Sequence, residues 1–239
     1  MLDTLHTPGP EAAALEQWNV LFRTTTPQTL LAWASRQWDE HMALTCSFGG
    51  AAGLVLLDMI ATVAPHTPVL YIDTGLLFDE TYRLIDEIRQ RYEINLIAVK
   101  PARTVAQQAL EEGESLWRRD PDRCCGLRKV QPLGEALKPY AAWVTGVRRG
   151  NSHSRANTAL IEWSSKYHLI KLNPLAFWNE RDVWRYMHEH HVPYNPLLDQ
   201  GYRSIGCYTC TSLPTSDAPR SGRWAGFNKT ECGLHLEPA

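Results

Sequence analysis

Apolar positions recur every three to four residues over residues 11–22 and 27–38, which predicts two amphipathic helices. Thr26 stands where the second would take its N-cap, and Pro27 occupies the first helical position. From residue 42 the pattern changes. Short apolar runs at 42–47, 69–72, 94–99, 141–145 and 168–172 predict strands, and periodic stretches at 54–63, 78–92, 104–112 and 179–190 predict helices between and after them. Strands and helices alternating at this spacing imply right-handed crossovers and an α/β fold with a doubly wound, mostly parallel sheet. Ligands of such a sheet collect beyond the carboxyl ends of its strands. Asp122 leads into a further helical stretch, its signal weakened by Pro132 and Gly134, and residues 193–205 read as loop. Residues 212–223, rich in Ser, Pro, Gly and Arg, read as a mobile segment, and residues 1–10 as a loose lead-in.

Three of the predicted strands end in residues suited to a ligand. The first runs into Ser47-Phe48-Gly49-Gly50 followed by Ala51, Ala52 and Gly53. Small residues let backbone approach a ligand, and free N–H groups at a helix start attract an oxyanion, although helix–strand packing alone can also demand glycine. The second ends in Asp73-Thr74-Gly75, where Asp73 serves either as a helix cap or as a ligand contact. After the fourth comes a polar loop, residues 146–155, carrying Arg148, Arg149 and Arg155. Three guanidinium groups beside a small-residue turn favour a doubly charged oxyanion over simple solvation. Trp18, Trp33, Trp38, Trp143, Trp178 and Trp184 are expected in the core. His188, His190 and His191 are read as a solvated helix end, because their spacing puts only His188 and His191 on one side.

Composition narrows the classes. The chain has 239 residues, 44% of them hydrophobic and 21% charged, with net charge -2. That fits one large domain, or a large domain with an appendage, with a substantial core and no overall basic field for nucleic acid. No basic region followed by an apolar run opens the chain and no stretch approaches membrane-spanning length, so a cytoplasmic protein is expected, with no membrane association. Six cysteines in a reducing compartment read as ligands or catalysts. Cys124 and Cys125 are adjacent, and a bridge between them is disfavoured because neighbouring Cα atoms stand ~3.8 Å apart, short of the ~4.4 Å lower limit for disulfides. Together with Cys207 and Cys210 they offer four soft ligands, for an iron–sulfur cluster or a structural zinc. The spacing is unlike the paired knuckles of most zinc ribbons, which favours the cluster. Cys46, at the end of an apolar run, reads as a buried small hydrophobe.

Between about Leu44 and His235 the ordered motifs resemble the assimilatory sulfonucleotide reductases, in particular the cluster-containing adenylyl-sulfate reductase branch. They comprise Ser47-Phe48-Gly49-Gly50, Asp73-Thr74-Gly75, Cys124-Cys125 with Lys129, and Thr145-Gly146-Val147-Arg148-Arg149. Further along stand Lys171-Leu172-Asn173-Pro174-Leu175, Tyr194-Asn195-Pro196-Leu197, the run from Gly201 to Cys207, and Cys210-Thr211. The last are Arg220 to Trp224 and Glu231-Cys232-Gly233-Leu234-His235. The resemblance implies the adenine-nucleotide alpha hydrolase-like fold and one [4Fe–4S] cluster on Cys124, Cys125, Cys207 and Cys210, with Lys129 close to it. It implies Cys232 as nucleophile. Ser47, Phe48, Gly49, Gly50, Asp73, Thr74, Lys129, Arg148, Arg149, Arg220, Arg223 and His235 are then expected around the substrate's nucleotide and phosphosulfate. Many relatives carry an acidic residue just after the turn, where this chain has Ala51, Ala52 and Gly53.

The activity implied is thioredoxin-dependent reduction of adenosine 5′-phosphosulfate (APS) to sulfite and AMP through an S-sulfocysteine, in sulfate assimilation and cysteine biosynthesis. An electropositive pocket supplied by His235 and the arginines would favour the Cys232 thiolate. The chain ends seven residues after Cys232 without a thioredoxin-like domain, so thioredoxin is expected as a separate partner; a homo-oligomer is left open. Three parts are expected: an N-terminal helical segment at 1–40, a nucleotide- and cluster-binding α/β domain at 41–211, and a mobile catalytic tail at 212–239. Rival readings are a reductase of the 3′-phosphorylated substrate (PAPS), whose members usually lack the four cluster cysteines, and an ATP-pyrophosphatase-type adenylyl transferase. The latter would need a Ser-Gly-Gly-x-Asp-Ser loop that Ser47 to Ala52 does not supply. A zinc-stabilised binding module would leave the Glu-Cys-Gly-Leu-His tail unexplained.

Overall fold

The computed structural model describes residues 9–218 and 220–236, so the lead-in expected at residues 1–10 falls largely outside the described residues. Helices α1 (Ala12–Phe22) and α2 (Pro27–Trp38) precede the sheet. Thr26 caps α2 as expected, its hydroxyl accepting from Thr29 N at 3.2 Å. Trp18, Trp33 and Trp38 pack edge to face with ring centroids 5.3 to 6.2 Å apart, against the core and away from the functional cavity.

Strand β1 (Met42–Thr45), helix α3 (Ala51–Val63), strand β2 (Val69–Ile72), helix α4 (Asp79–Arg91) and strand β3 (Leu96–Val99) form the first winding. Helices α5 (Val105–Glu112), α6 (Leu116–Arg119), α7 (Pro121–Cys125) and α8 (Gln131–Leu137) lead to strand β4 (Ala142–Val144), and strands β5 (Ile161–Ser164) and β6 (Leu169–Leu172) precede helix α9 (Glu180–Glu189). The six strands are ordered β3-β2-β1-β4-β6-β5, all pairs parallel except β5 with β6. Leu44 lies opposite both Val69 and Val144, so β1 is central and buried on both faces, which is why its sequence reads as an unbroken apolar run. Winding reverses between β1 and β4. The loops after these two strands therefore diverge and open a crevice at their carboxyl ends.

Four details depart from expectation. β1 stops at Thr45, and α3 starts at Ala51 rather than Leu54, because Gly50 is extended and Gly53 sits so close under the turn that a Cβ there would lie 3.2 Å from Cys46 Sγ. Pro132 does not break the helical run: the backbone stays helical through a π turn at Gly126–Val130, which directly precedes the proline-bearing turn of α8. The polar loop at 146–155 contains two 3₁₀ turns, Arg149–Asn151 and His153–Arg155. β5 was not expected; it is a four-residue antiparallel edge strand. No helix among the described residues is long and apolar enough to cross a membrane.

Candidate active site

The crevice holds a cavity of about 300 Å³. Its floor is the β1–α3 turn. Gly49 and Gly50 line it, and a side chain at Gly49 would put a Cβ 2.3 Å from the Ile205 carbonyl oxygen, so only glycine lets the returning 205–206 segment lie across the turn. Phe48 holds φ +55°, a left-handed conformation costly for a bulky residue. It persists because the ring is fully buried against Tyr71, at 5.7 Å, and Asn195 Nδ2 donates to the Phe48 carbonyl at 3.2 Å. From β4, Gly146 packs so tightly on the first turn of α3 that a Cβ would lie 3.0 Å from Gly53 N, which brings the arginine loop to the cradle.

Two guanidinium groups of that loop, Arg148 and Arg155, reach the cavity wall, and the Nε of each is buried without a hydrogen-bond partner among the described residues. Buried donors left unmatched are costly unless an acceptor arrives. Both residues line the cavity, so their guanidinium groups bring positive charge to its wall. Arg149 is turned the other way: its Nε donates to Thr158 O at 2.8 Å and its guanidinium covers Phe177. Neither Arg149 nor the Phe48 side chain is among the cavity-lining residues. Asp73 is absent from the wall too, and it does not cap α4; it accepts from Gly75 N at 3.0 Å and from Tyr82 Oη at 2.7 Å, folding the β2–α4 turn. Ser47, Thr74 and Lys129 do line the cavity.

Behind Lys129 lie the four cysteines expected as ligands, all free thiols, three of them buried. α7 presents Cys124 and Cys125, while a bridge from Leu77 to Cys207 and a bond from Tyr208 N to Leu76 O at 2.9 Å bring up the second pair. Burial pushes the Cys124 thiol up to about 12, helped by the charges of Cys125, Cys207 and Cys210, and pushes Cys125 up to about 11. Cys207 goes the other way. Burial opposes its ionisation, but Lys129, a hydroxyl contact from Thr74 at 3.3 Å and Arg223 bring it below the ordinary thiol range. Burial likewise opposes charge on Lys129, and its electrostatic coupling to the sulfurs of Cys207, Cys232 and Cys125 outweighs that and raises its pKa. No three potential ligands among the described residues converge tightly enough for a single metal ion. Four separate soft donors, set beside the cations Arg128, Lys129 and Arg223, match in chemistry the donor set of an anionic iron–sulfur cluster.

The tail closes the cavity from above. Thr211 bridges Arg223, and Ser212 N donates to Gly222 O at 2.8 Å. Trp224, buried, is its hub: Arg223, Lys229 and Arg220 lie 4.4, 5.3 and 5.5 Å from its ring centroid. Arg223 donates to Cys210 O at 3.1 Å and lies over Gly206, where any side chain would strike the guanidinium at 2.3 Å. Lys229 pairs with Asp122 and Lys166 donates to Gly233 O, so the tail is tied at both ends of the Cys232 segment. Arg220, Arg223, Cys232 and His235 all line the cavity.

His235 differs in charge from expectation. Its ring stacks on Trp143 at 5.1 Å with its Nδ1 buried and unpartnered, and burial, then Arg155, Lys171 and Arg220, hold its pKa well below the usual imidazole range. It is a neutral imidazole and adds no positive field. Cys46, also on the floor, is pushed up to about 12 by burial and stays a thiol, as its apolar run implied. Arg155 was read from sequence only as one of three loop arginines, and Glu231 only as part of the tail motif; that the two act together was not expected. Their signal is a pairing of 2.8 Å across the fold, which no local spacing reveals.

The sequence matches the family described as the phosphoadenosine phosphosulfate reductase domain over residues 41–213. It is 44% identical over 223 residues to adenosine 5′-phosphosulfate reductase of Salinibacter ruber, covering 92% of this chain and 88% of that protein. It is 46% identical over 209 residues to adenosine 5′-phosphosulfate reductase 1 of Bacillus subtilis, covering 87% of this chain and 89% of that protein. The crystal structure of phosphoadenylyl-sulfate (PAPS) reductase from Candida auris, a phosphate complex, superposes with a TM-score of 0.77 at 32% identity, over 86% of this chain and 100% of that one. A glycine cradle at a winding reversal, unmatched arginines and a cysteine tail across one cavity agree with these matches, and the chain belongs to the phosphoadenosine phosphosulfate reductase family.

Proposed function

We propose that this protein reduces APS to sulfite and AMP with thioredoxin as electron donor. The observation that carries the reading is that Cys232 lines the same cavity as the glycine turn and the two arginines Arg148 and Arg155. Relatives at 44% and 46% identity that bear the name adenosine 5′-phosphosulfate reductase support it. The turn at Ser47 to Gly50 presents backbone N–H groups to the nucleotide phosphate, and Arg148, Arg155, Lys129, Arg220 and Arg223 neutralise the phosphosulfate. The Cys232 thiolate attacks the sulfonyl sulfur, the bond to the phosphate oxygen breaks, and AMP leaves with that electron pair. A thioredoxin thiolate then attacks the Cys232 sulfur, sulfite departs, and the second donor thiol resolves the mixed disulfide and restores Cys232.

In this reading Cys124, Cys125, Cys207 and Cys210 hold a [4Fe–4S] cluster, which when bound supplies local charge and rigidity beside Lys129. Thiols kept protonated by burial release protons as metal binds. Residues 1–40 act as a helical support, 41–211 as the binding domain and 212–239 as the catalytic tail, and the work is done in the cytoplasm. The test is sulfite release from APS and from PAPS with reduced thioredoxin, on anaerobically purified protein. A kcat/KM for APS far above that for PAPS is expected; the reverse order would favour the second reading, a PAPS reductase, which the Candida auris likeness supports.

A further inference from the structure

Glu231, the residue before Cys232, has no part in the chemistry above, yet its side chain is only 5% exposed. Its Oε2 pairs with Arg155 at 2.8 Å and faces Arg220 at 3.6 Å, while Oε1 accepts the Ser152 hydroxyl at 3.1 Å. Ser152 and Arg155 belong to the loop after β4; Arg220 belongs to the tail and is further fixed by donating to Thr230 O at 2.8 Å. One carboxylate thus joins the loop to the tail at the peptide that carries Cys232. Both arginines also line the cavity. Glu231 takes the Nη2 group of Arg155, a residue that also lines the cavity, so one guanidinium serves both the latch and the cavity wall.

We propose that Glu231 is a positioning residue that latches the tail through Arg155 and Arg220, seating Cys232 over the cavity and aiming both guanidinium groups before substrate arrives. The proposal rests on the reading of Cys232 as nucleophile. A carboxylate buried against two cations is held strongly, because removing its charge leaves both cations uncompensated. Its neighbour on the chain is fixed with it. Seating the thiol in advance removes a positioning cost from the attack step rather than from binding.

Glu231→Gln keeps the size and removes the charge. In the holoenzyme without nucleotide, iodoacetamide should label Cys232 about tenfold faster in this variant, read by peptide mass spectrometry. At saturating APS without donor, sulfonation of Cys232 should slow about a hundredfold, while half-saturation by APS moves less than about threefold. Glu231→Asp, which keeps the charge, should recover part of the rate. A role confined to holding the fold would instead lower the unfolding midpoint and scale both readouts with the folded fraction. Labelling at the wild-type rate, or unchanged sulfonation, overturns the latch. Should the Gln variant fail to fold, Ser152→Ala must still speed labelling about twofold, and no change there overturns it equally. If the wild-type protein forms no sulfonate on Cys232, the functional reading fails, and the labelling ratio still decides the latch.

Discussion

The sheet side and the tail side of the cavity meet the same space but are held in different ways. On the sheet side, Gly49, Gly53 and Gly146 are fixed by backbone contacts, beneath them Leu44, Leu54, Leu56 and Ile60 are wholly buried, and the cradle is as rigid as the core. On the tail side, one tryptophan and a set of ion pairs do the holding: Trp224 under three cations, Glu231 between two arginines, Lys229 on Asp122. Such contacts give way at lower free energy than a packed core. On the function proposed above, the difference separates two jobs, a binding surface that must not move and a nucleophile that must be covered during attack and then exposed to a protein donor.

Substitutions at the two sides should therefore fail in different assays. The largest effect is expected at Cys232: Cys232→Ser should reduce sulfite formation to background with the unfolding midpoint and iron content unmoved, whereas Cys46→Ser, at a thiol that burial holds protonated, should keep turnover. Next comes the cysteine quartet. Replacing any of Cys124, Cys125, Cys207 or Cys210 by Ser should lose iron and acid-labile sulfide together; stoichiometric zinc without sulfide in anaerobically prepared protein would contradict the cluster. The double change Arg220→Ala with Arg223→Ala should lower the rate of Cys232 sulfonation about a hundredfold. Because Arg223 is buried over Gly206, it should also loosen the tail, seen as faster labelling of Cys232, while the sheet melts as before. On the other side Leu54→Ala should cost about 2–5 kcal/mol of global stability by urea unfolding, with labelling of Cys232 in the folded protein unchanged.

The smallest effect sharpens the boundary between the two sides at His235. Its pKa in the folded protein lies below the ordinary value of about 6.5, so the unfolded chain binds more protons between the two values. The stability from neutral His235 is fully present above pH 6.5 and is lost as pH falls below it. The melting advantage of wild type over His235→Asn should shrink from pH 7.5 to pH 5.5, and a growing advantage would contradict a neutral, buried ring.

How much of this was legible in sequence follows the same division. Strands β2 and β6, the cap at Thr26 and the cradle at Ser47 to Gly50 were readable because period, cap chemistry and small residues act locally. β5 escaped because Ile161-Glu162-Trp163-Ser164, at a sheet edge beside a polar loop, mixes polar with apolar residues, whereas β2, of equal length, is an unbroken apolar run. Three arginines in one loop were visible, yet their directions were not: packing sends Arg149 to Thr158 and Phe177 while Arg148 and Arg155 face the cavity. Neutral His235 was likewise hidden, since its charge is set by burial and then by Arg155, Lys171 and Arg220, which the fold brings from distant positions.

The central claim is that Cys232 attacks the sulfur of APS before any donor is involved. Native protein incubated with APS alone, then digested and examined by mass spectrometry, should accumulate one sulfonate on the peptide containing Cys232, released as sulfite when reduced thioredoxin is added. A sulfonate on another cysteine, or sulfite formation by the Cys232→Ser protein, would contradict it.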